Sequence, residues 1–102
     1  MINVVAVIVA QPGKRALLLA AFHENVSAVR AEAGCIEYTG AVDLEDFGSF
    51  AAPFGPDTFV VIEKWENAEA LKAHARAPHM AAYAAKTKEF VASRAIHVLS
   101  TV

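Results

Sequence analysis

Apolar, mostly β-branched residues run from Ile2 to Ala10, interrupted only by Asn3, and stop at Gln11-Pro12-Gly13. Such a run, bounded by Pro-Gly, predicts a strand buried on both faces. The period then changes. Leu18, Phe22, Val26 and Val29 recur at three- and four-residue intervals and make one apolar stripe on a helix. Pro12 suits the first turn of that helix and Gly34 its stop, so it should run from about Pro12 to Ala33. Residues 35–43 read as a second strand, and Thr58 to Glu66, centred on Phe59-Val60-Val61-Ile62, as a third. Asn67 is placed to cap a short helix that reaches about Arg76. Pro78 breaks it, and a further helix from His79 to about Val91 carries Met80, Tyr83, Ala84, Thr87 and Phe90 on one side. Arg94 to Val102 forms the last strand.

The order β-α-β-β-α-β, with the second helix split at Pro78, predicts an α+β fold of the ferredoxin-like kind, a single domain over residues 1–102. Helices cover one face of its antiparallel sheet. The strands do not alternate between apolar and polar. Val5, Val7 and Val9 point away from Val4, Ala6 and Ile8, and Phe59 and Val61 oppose Val60 and Ile62. Both faces therefore need cover, and a second copy of the chain is the natural cover for the face without helices. Composition points the same way. Hydrophobic residues are 56% of the chain, against about 45–50% in an average soluble domain. A domain this small has little interior in which to hide the surplus, so a homodimer is expected.

Charge narrows the function classes. The formal net charge is -2, and the 9 Lys and Arg residues are scattered with no basic run, which argues against nucleic acid as a partner. The single cysteine, Cys35, excludes an intramolecular disulfide and fits a reducing compartment. The apolar N-terminal run is too short to span a membrane and lacks signal-peptide flanks, so the chain reads as cytoplasmic, with no membrane partner. Four histidines without Cys or Asp at ligand spacing make no metal site. No phosphate-cradling glycine motif or nucleophile elbow occurs, so neither a nucleotide nor a bound flavin is expected.

Several segments in order are familiar: Pro12-Gly13-Lys14, Arg30-Ala31-Glu32-Ala33-Gly34-Cys35-Ile36-Glu37-Tyr38, Glu63-Lys64-Trp65, Leu71-Lys72-Ala73-His74 and Pro78-His79. Together they resemble the antibiotic biosynthesis monooxygenase family. The resemblance implies a dimeric α+β barrel with a pocket between sheet and helices in each subunit. It also implies a cofactor-independent monooxygenase of quinols or anthrones, in which the deprotonated substrate itself gives an electron to dioxygen. Relatives on the same scaffold include an isomerase and haem-degrading enzymes, and a non-catalytic protein holding a small apolar molecule is a further alternative. The loop from Leu44 to Asp57 departs from the usual hairpin in length and aromatic content.

The candidate site follows from these two readings. His74, at the Leu-x-x-His position, would take a substrate proton, or else is a partly buried histidine bonded to the backbone. Asn3 would hydrogen-bond the resulting oxyanion, or is a strand-end amide satisfied locally. Trp65 would stack on a flat substrate, or is simply core. Those three are the catalytic candidates. Glu63 shares a face with Trp65 and is either a perturbed acid or a carboxylate paired near a strand end. His79 either helps bind substrate or caps its helix and stacks on Tyr83. Phe47, Phe50 and Phe54 suggest an apolar flap, since loops normally sit in water, and they join Glu63, His79 and Tyr83 as candidates for substrate binding. Arg30 and Glu32, before the Gly34 turn, read as a surface pair or a dimer contact.

Overall fold

The structure is a computed structural model that describes all of residues 1–102. Strands β1 (Ile2–Ala10), β2 (Cys35–Ala41), β3 (Thr58–Trp65) and β4 (Val91–Ser100) form one antiparallel sheet in the order β2-β3-β1-β4. Helices α1 (Arg15–Arg30), α2 (Ala68–Arg76) and α3 (Pro78–Thr87) lie on one side of it, with a 3-10 turn at Lys88–Phe90. This is the expected ferredoxin-like arrangement. The break at Pro78 is also as expected: α2 ends at Arg76 and Pro78 opens α3. No helix is long and apolar enough to cross a membrane.

Element ends differ from the pattern in physically explicable ways. Pro12 and Gly13 stand before α1, because Gly13 has φ +77 and closes a turn whose amide is held by Asp57 Oδ1 at 3.0 Å. At its other end α1 stops three residues short of Ala33, where a turn begins (Ala31 N–H to Ser27 O, 3.1 Å; Glu32 N–H to Val29 O, 3.0 Å). β4 begins at Val91, since the 3-10 turn, not α3, absorbs residues 88–90.

Register sorts the side chains. Val4 pairs with Glu63, Ala6 with Val61 and Ile8 with Phe59, so these share the helix-covered face. Leu18, Phe22 and Val29 from α1 pack there with Val4, Ala6, Phe59, Val61 and Trp65. Gly40 makes room for the stripe: a Cβ at that position would lie 2.8 Å from Phe22 Cε2. The aromatic ring of Phe22 stacks on Tyr38 at 5.4 Å. The other face carries Val5, Val7, Val60 and Ile62 in register, with His97 and Ala95 opposite Val5 and Val7 on β4. Nothing in one chain covers that face, and Ile62 and Leu99 stand exposed. β4 is uncovered on both sides, so Ile96 and Val98 are exposed even though their neighbours Ala6 and Val4 are buried.

Candidate active site

The turn after α1 sets the site. Gly34 has φ +82, and a Cβ there would sit 2.6 Å from Ala70 Cβ. Only glycine allows that backbone and that approach together. α2 can therefore rest on the turn, held by Glu66 N–H to Gly34 O (2.9 Å) and started by the Asn67 Oδ1 cap on Ala70 N–H (2.9 Å). One turn beyond Ala70, His74 lands on Glu32. Arg30 fixes the same turn from below, donating from Nε and Nη2 to Tyr38 O at 3.2 and 3.0 Å.

His74 is 6% exposed. Its Nδ1 lies 2.9 Å from Glu32 Oε2, and its ring is flanked by Trp65 at 4.7 Å and Tyr38 at 5.7 Å. Across the Pro78 break, His79 approaches the same oxygen, with Nε2 to Glu32 Oε2 at 3.0 Å, off the line a hydrogen bond needs. The other nitrogen of His79, Nδ1, meets Asn25 Oδ1 at 3.3 Å, and Asn25 Nδ2 donates to Met80 Sδ. On the sheet side, Trp65 Nε1 donates to Glu63 Oε1 at 2.9 Å.

Burial governs the titrations. The Glu63 carboxyl is pushed up from its ordinary value chiefly by desolvation, against the lowering effects of the Trp65 hydrogen bond and His74. Burial likewise raises the Tyr38 phenol, helped by Glu63 and by Tyr83, and raises Tyr83 itself, opposed by Arg94. The Cys35 thiol is raised by burial and then by Glu32, which disfavours a reactive thiolate. Because the fold disfavours ionised Glu63, its contribution to stability is complete below the unfolded carboxyl range and is lost as pH rises through the raised folded value. Glu63→Gln, which stays neutral and can still accept from Trp65, is expected to melt a few degrees above the parent at pH 7–8. The gap should close near pH 4. Thermal melts across that range check the sign; a variant less stable at pH 8 than the parent would contradict it.

Of the predicted residues, the structure brings together His74, Trp65, Glu63 and His79, with Tyr83 packed against the neighbouring core. It separates Asn3 and the three loop phenylalanines from them. Asn3 pairs with Lys64 and so points to the uncovered face, where its Nδ2 donates to Thr101 Oγ1 at 2.8 Å. It cannot meet an oxyanion at His74 in the same chain. The loop phenylalanines are not a wall of this site either. Their loop enters β3 at Thr58, while Trp65 ends it, roughly 23 Å away at about 3.3 Å per residue. Phe50 is 92% exposed. Phe47 and Phe50 instead line a shallow cavity of about 280 Å³ with Leu44, Ala51 and Pro53. Asp43 anchors the loop by accepting from the amides of Phe54 and Gly55, contacts that hold its carboxyl below the usual range.

The pattern missed Glu32, Asn25 and Tyr38. Glu32 is no surface pair but the shared partner of two histidines. Tyr38 was legible: with Gly40 it occupies the inward positions of β2. No spacing marks Glu32 or Asn25, which meet their partners across 42 and 54 residues of sequence.

Fold and site together define a ferredoxin-like α+β domain with a buried histidine–carboxylate centre where the helix split at Pro78 meets the turn after α1. By the match of its residues 1–86 to the family model described as "Antibiotic biosynthesis monooxygenase", the chain belongs to that family. It is 38% identical over 101 residues to "Probable quinol monooxygenase YgiN" of Escherichia coli strain K12, an alignment covering 97% of this chain and 96% of that one. The crystal structure of PA3566 from Pseudomonas aeruginosa superposes with a TM-score of 0.81 at 26% identity, covering 99% of this chain and 93% of that one. Rv0793 from Mycobacterium tuberculosis shares the fold, with a TM-score of 0.80 at 24% identity over 99% and 94% of the two chains.

Proposed function

We propose that this protein is a cofactor-independent monooxygenase of electron-rich aromatic molecules of the quinol or anthrone type, acting as a homodimer joined through the uncovered sheet face. The carrying observation is His74. Its Nδ1 is taken by Glu32, which leaves Nε2 as the nitrogen for a substrate proton, and aromatic rings flank it on two sides. Family membership and the similarity to a protein named as a quinol monooxygenase support the reaction class.

In this reading Nε2 accepts the phenolic proton, and the phenolate gives an electron to dioxygen. The buried rings of Trp65 and Tyr38 back the His74 imidazole with apolar surface and keep water from a reactive intermediate. Asn3 and the loop phenylalanines take no part within one chain. The dimer rests on Val5, Val7, Val60, Ile62 and Leu99, an apolar patch rimmed by the Glu37–Lys64 ion pair.

Oxygen uptake with a panel of quinols and anthrones tests the reading. His74→Ala is expected to lower turnover by about 100-fold or more, the usual span for a general base. Undiminished uptake in that variant would overturn the mechanism. Absence of uptake by the parent on the whole panel would overturn the reaction class and turn attention to isomerisation, haem degradation or simple binding.

A further inference from the structure

A carboxylate oxygen can only accept a hydrogen bond. With Glu32 Oε2 at 2.9 Å, the proton of a neutral His74 therefore sits on Nδ1 and the lone pair on Nε2. That is the minor tautomer of histidine in water, so the protein has to impose it. His79 Nε2 also lies 3.0 Å from this oxygen, without hydrogen-bond alignment, and His79 Nδ1 meets Asn25 Oδ1. Three elements thus converge on one oxygen: the turn after α1, α2, and the start of α3 beyond Pro78. Glu32 reaches this point although only 16% of its side chain remains exposed, a costly place for a carboxylate without partners.

We infer that Glu32 is the positioning residue of His74. It selects the Nδ1–H tautomer, turns Nε2 into the proton acceptor, and offsets the charge His74 gains on accepting a proton. The catalytic part of this inference rests on the proposed role of His74, while the tautomer does not.

Two measurements separate the cases. Ring nitrogen NMR of the ¹⁵N-histidine-labelled protein, above the histidine titration range, reads the tautomer without any substrate. His74 is expected as Nδ1–H in the parent and in Glu32→Gln, whose amide oxygen still accepts, and as Nε2–H in Glu32→Ala. Kinetics with whichever quinol or anthrone the parent oxidises give the second readout. Glu32→Gln should lower kcat about 10-fold and Glu32→Ala about 100-fold, with KM nearly unchanged. A parent His74 in the Nε2–H form, or a tautomer indifferent to Glu32→Ala, overturns the inference. So does parental kcat in both Glu32 variants when His74→Ala is inactive. If His74→Ala retains full activity, the mechanism of the preceding section fails, while the tautomer result still decides whether Glu32 sets the ring. Glu32→Gln keeps volume and an acceptor, so it remains informative should Glu32→Ala fold poorly.

Discussion

Trp65→Ala is expected to remove about 3–5 kcal/mol of stability, the range for a large aromatic deleted from a packed interior. That is a large fraction of the roughly 5–15 kcal/mol that holds a domain of this kind together. Trp65 is completely buried. It ends β3 at the point where the sheet meets α2, so its loss opens a cavity between His74 and the core. It also strips the buried Glu63 of its N–H donor, and an unsatisfied buried acceptor adds to the cost. Trp65→Phe is the milder substitution. It keeps one aromatic ring but loses the donor and part of the packed volume, for an expected cost of about 1–3 kcal/mol. Denaturant unfolding followed by far-UV circular dichroism, at one fixed protein concentration, measures both. The dichroism is needed because Trp65 is the chain's single tryptophan. A loss below about 1 kcal/mol for Trp65→Ala would mean that the wall of the site is not part of the core.

The second large effect concerns the proposed dimer. Ile62→Asp is expected to convert a dimer into a monomer at micromolar concentration. Ile62 lies mid-sheet on the uncovered face, between Thr39 of β2 and Val5 of β1. Across a two-fold interface the substitution buries two unpaired carboxylates at once. At several kcal/mol per ion, at least about 4 kcal/mol in all, the dissociation constant should rise about a thousandfold or more. Light scattering coupled to gel filtration reads the mass directly. Leu44→Asp makes the same kind of exchange in the exposed loop that follows β2, outside the sheet, and should leave the mass unchanged. A monomeric parent, or a dimer that survives Ile62→Asp, would refute the interface.

The two expectations depend on opposite faces of one sheet, and the chain shows how far each was legible. The run Ile2–Ala10 announces a strand with two apolar faces because side chains alternate by necessity. The stripe Leu18, Phe22, Val29 announces the helix that covers one of them. Pro78 breaks a helix wherever the rest of the chain goes, since it lacks the N–H that an unbroken helix would need there. These are local rules, and they held. The element ends slipped where a local signal competed with a contact from elsewhere, as at Gly13, whose amide is claimed by Asp57.

The site divides in the same way. His74 and Trp65 were visible as chemistry-bearing residues in apolar settings, and Glu63 followed from sharing a face with Trp65. Asn3 looked equivalent to them because it sits in an equally apolar strand. Which face it meets depends on the pairing of β1 with β3, which puts Asn3 beside Lys64 and Ile2 beside Trp65. A shift of one residue would have reversed the outcome. The phenylalanine loop looked like a lid because its composition is apolar, but composition carries no direction, and the hairpin places it at the far end of β3.

The chain by itself determined the βαββαβ order, the split helix, a sheet with no polar face and a histidine that could act as a base. All of these follow from residues within one or two turns of each other. Only the tertiary structure decided that Glu32 belongs to His74. The two stand 42 residues apart, and they meet because Gly34, lacking a Cβ, lets α2 settle on the turn that carries Glu32. Their meeting depends on backbone approach and strand register, which come from the packing of distant segments and leave no period or spacing in the sequence.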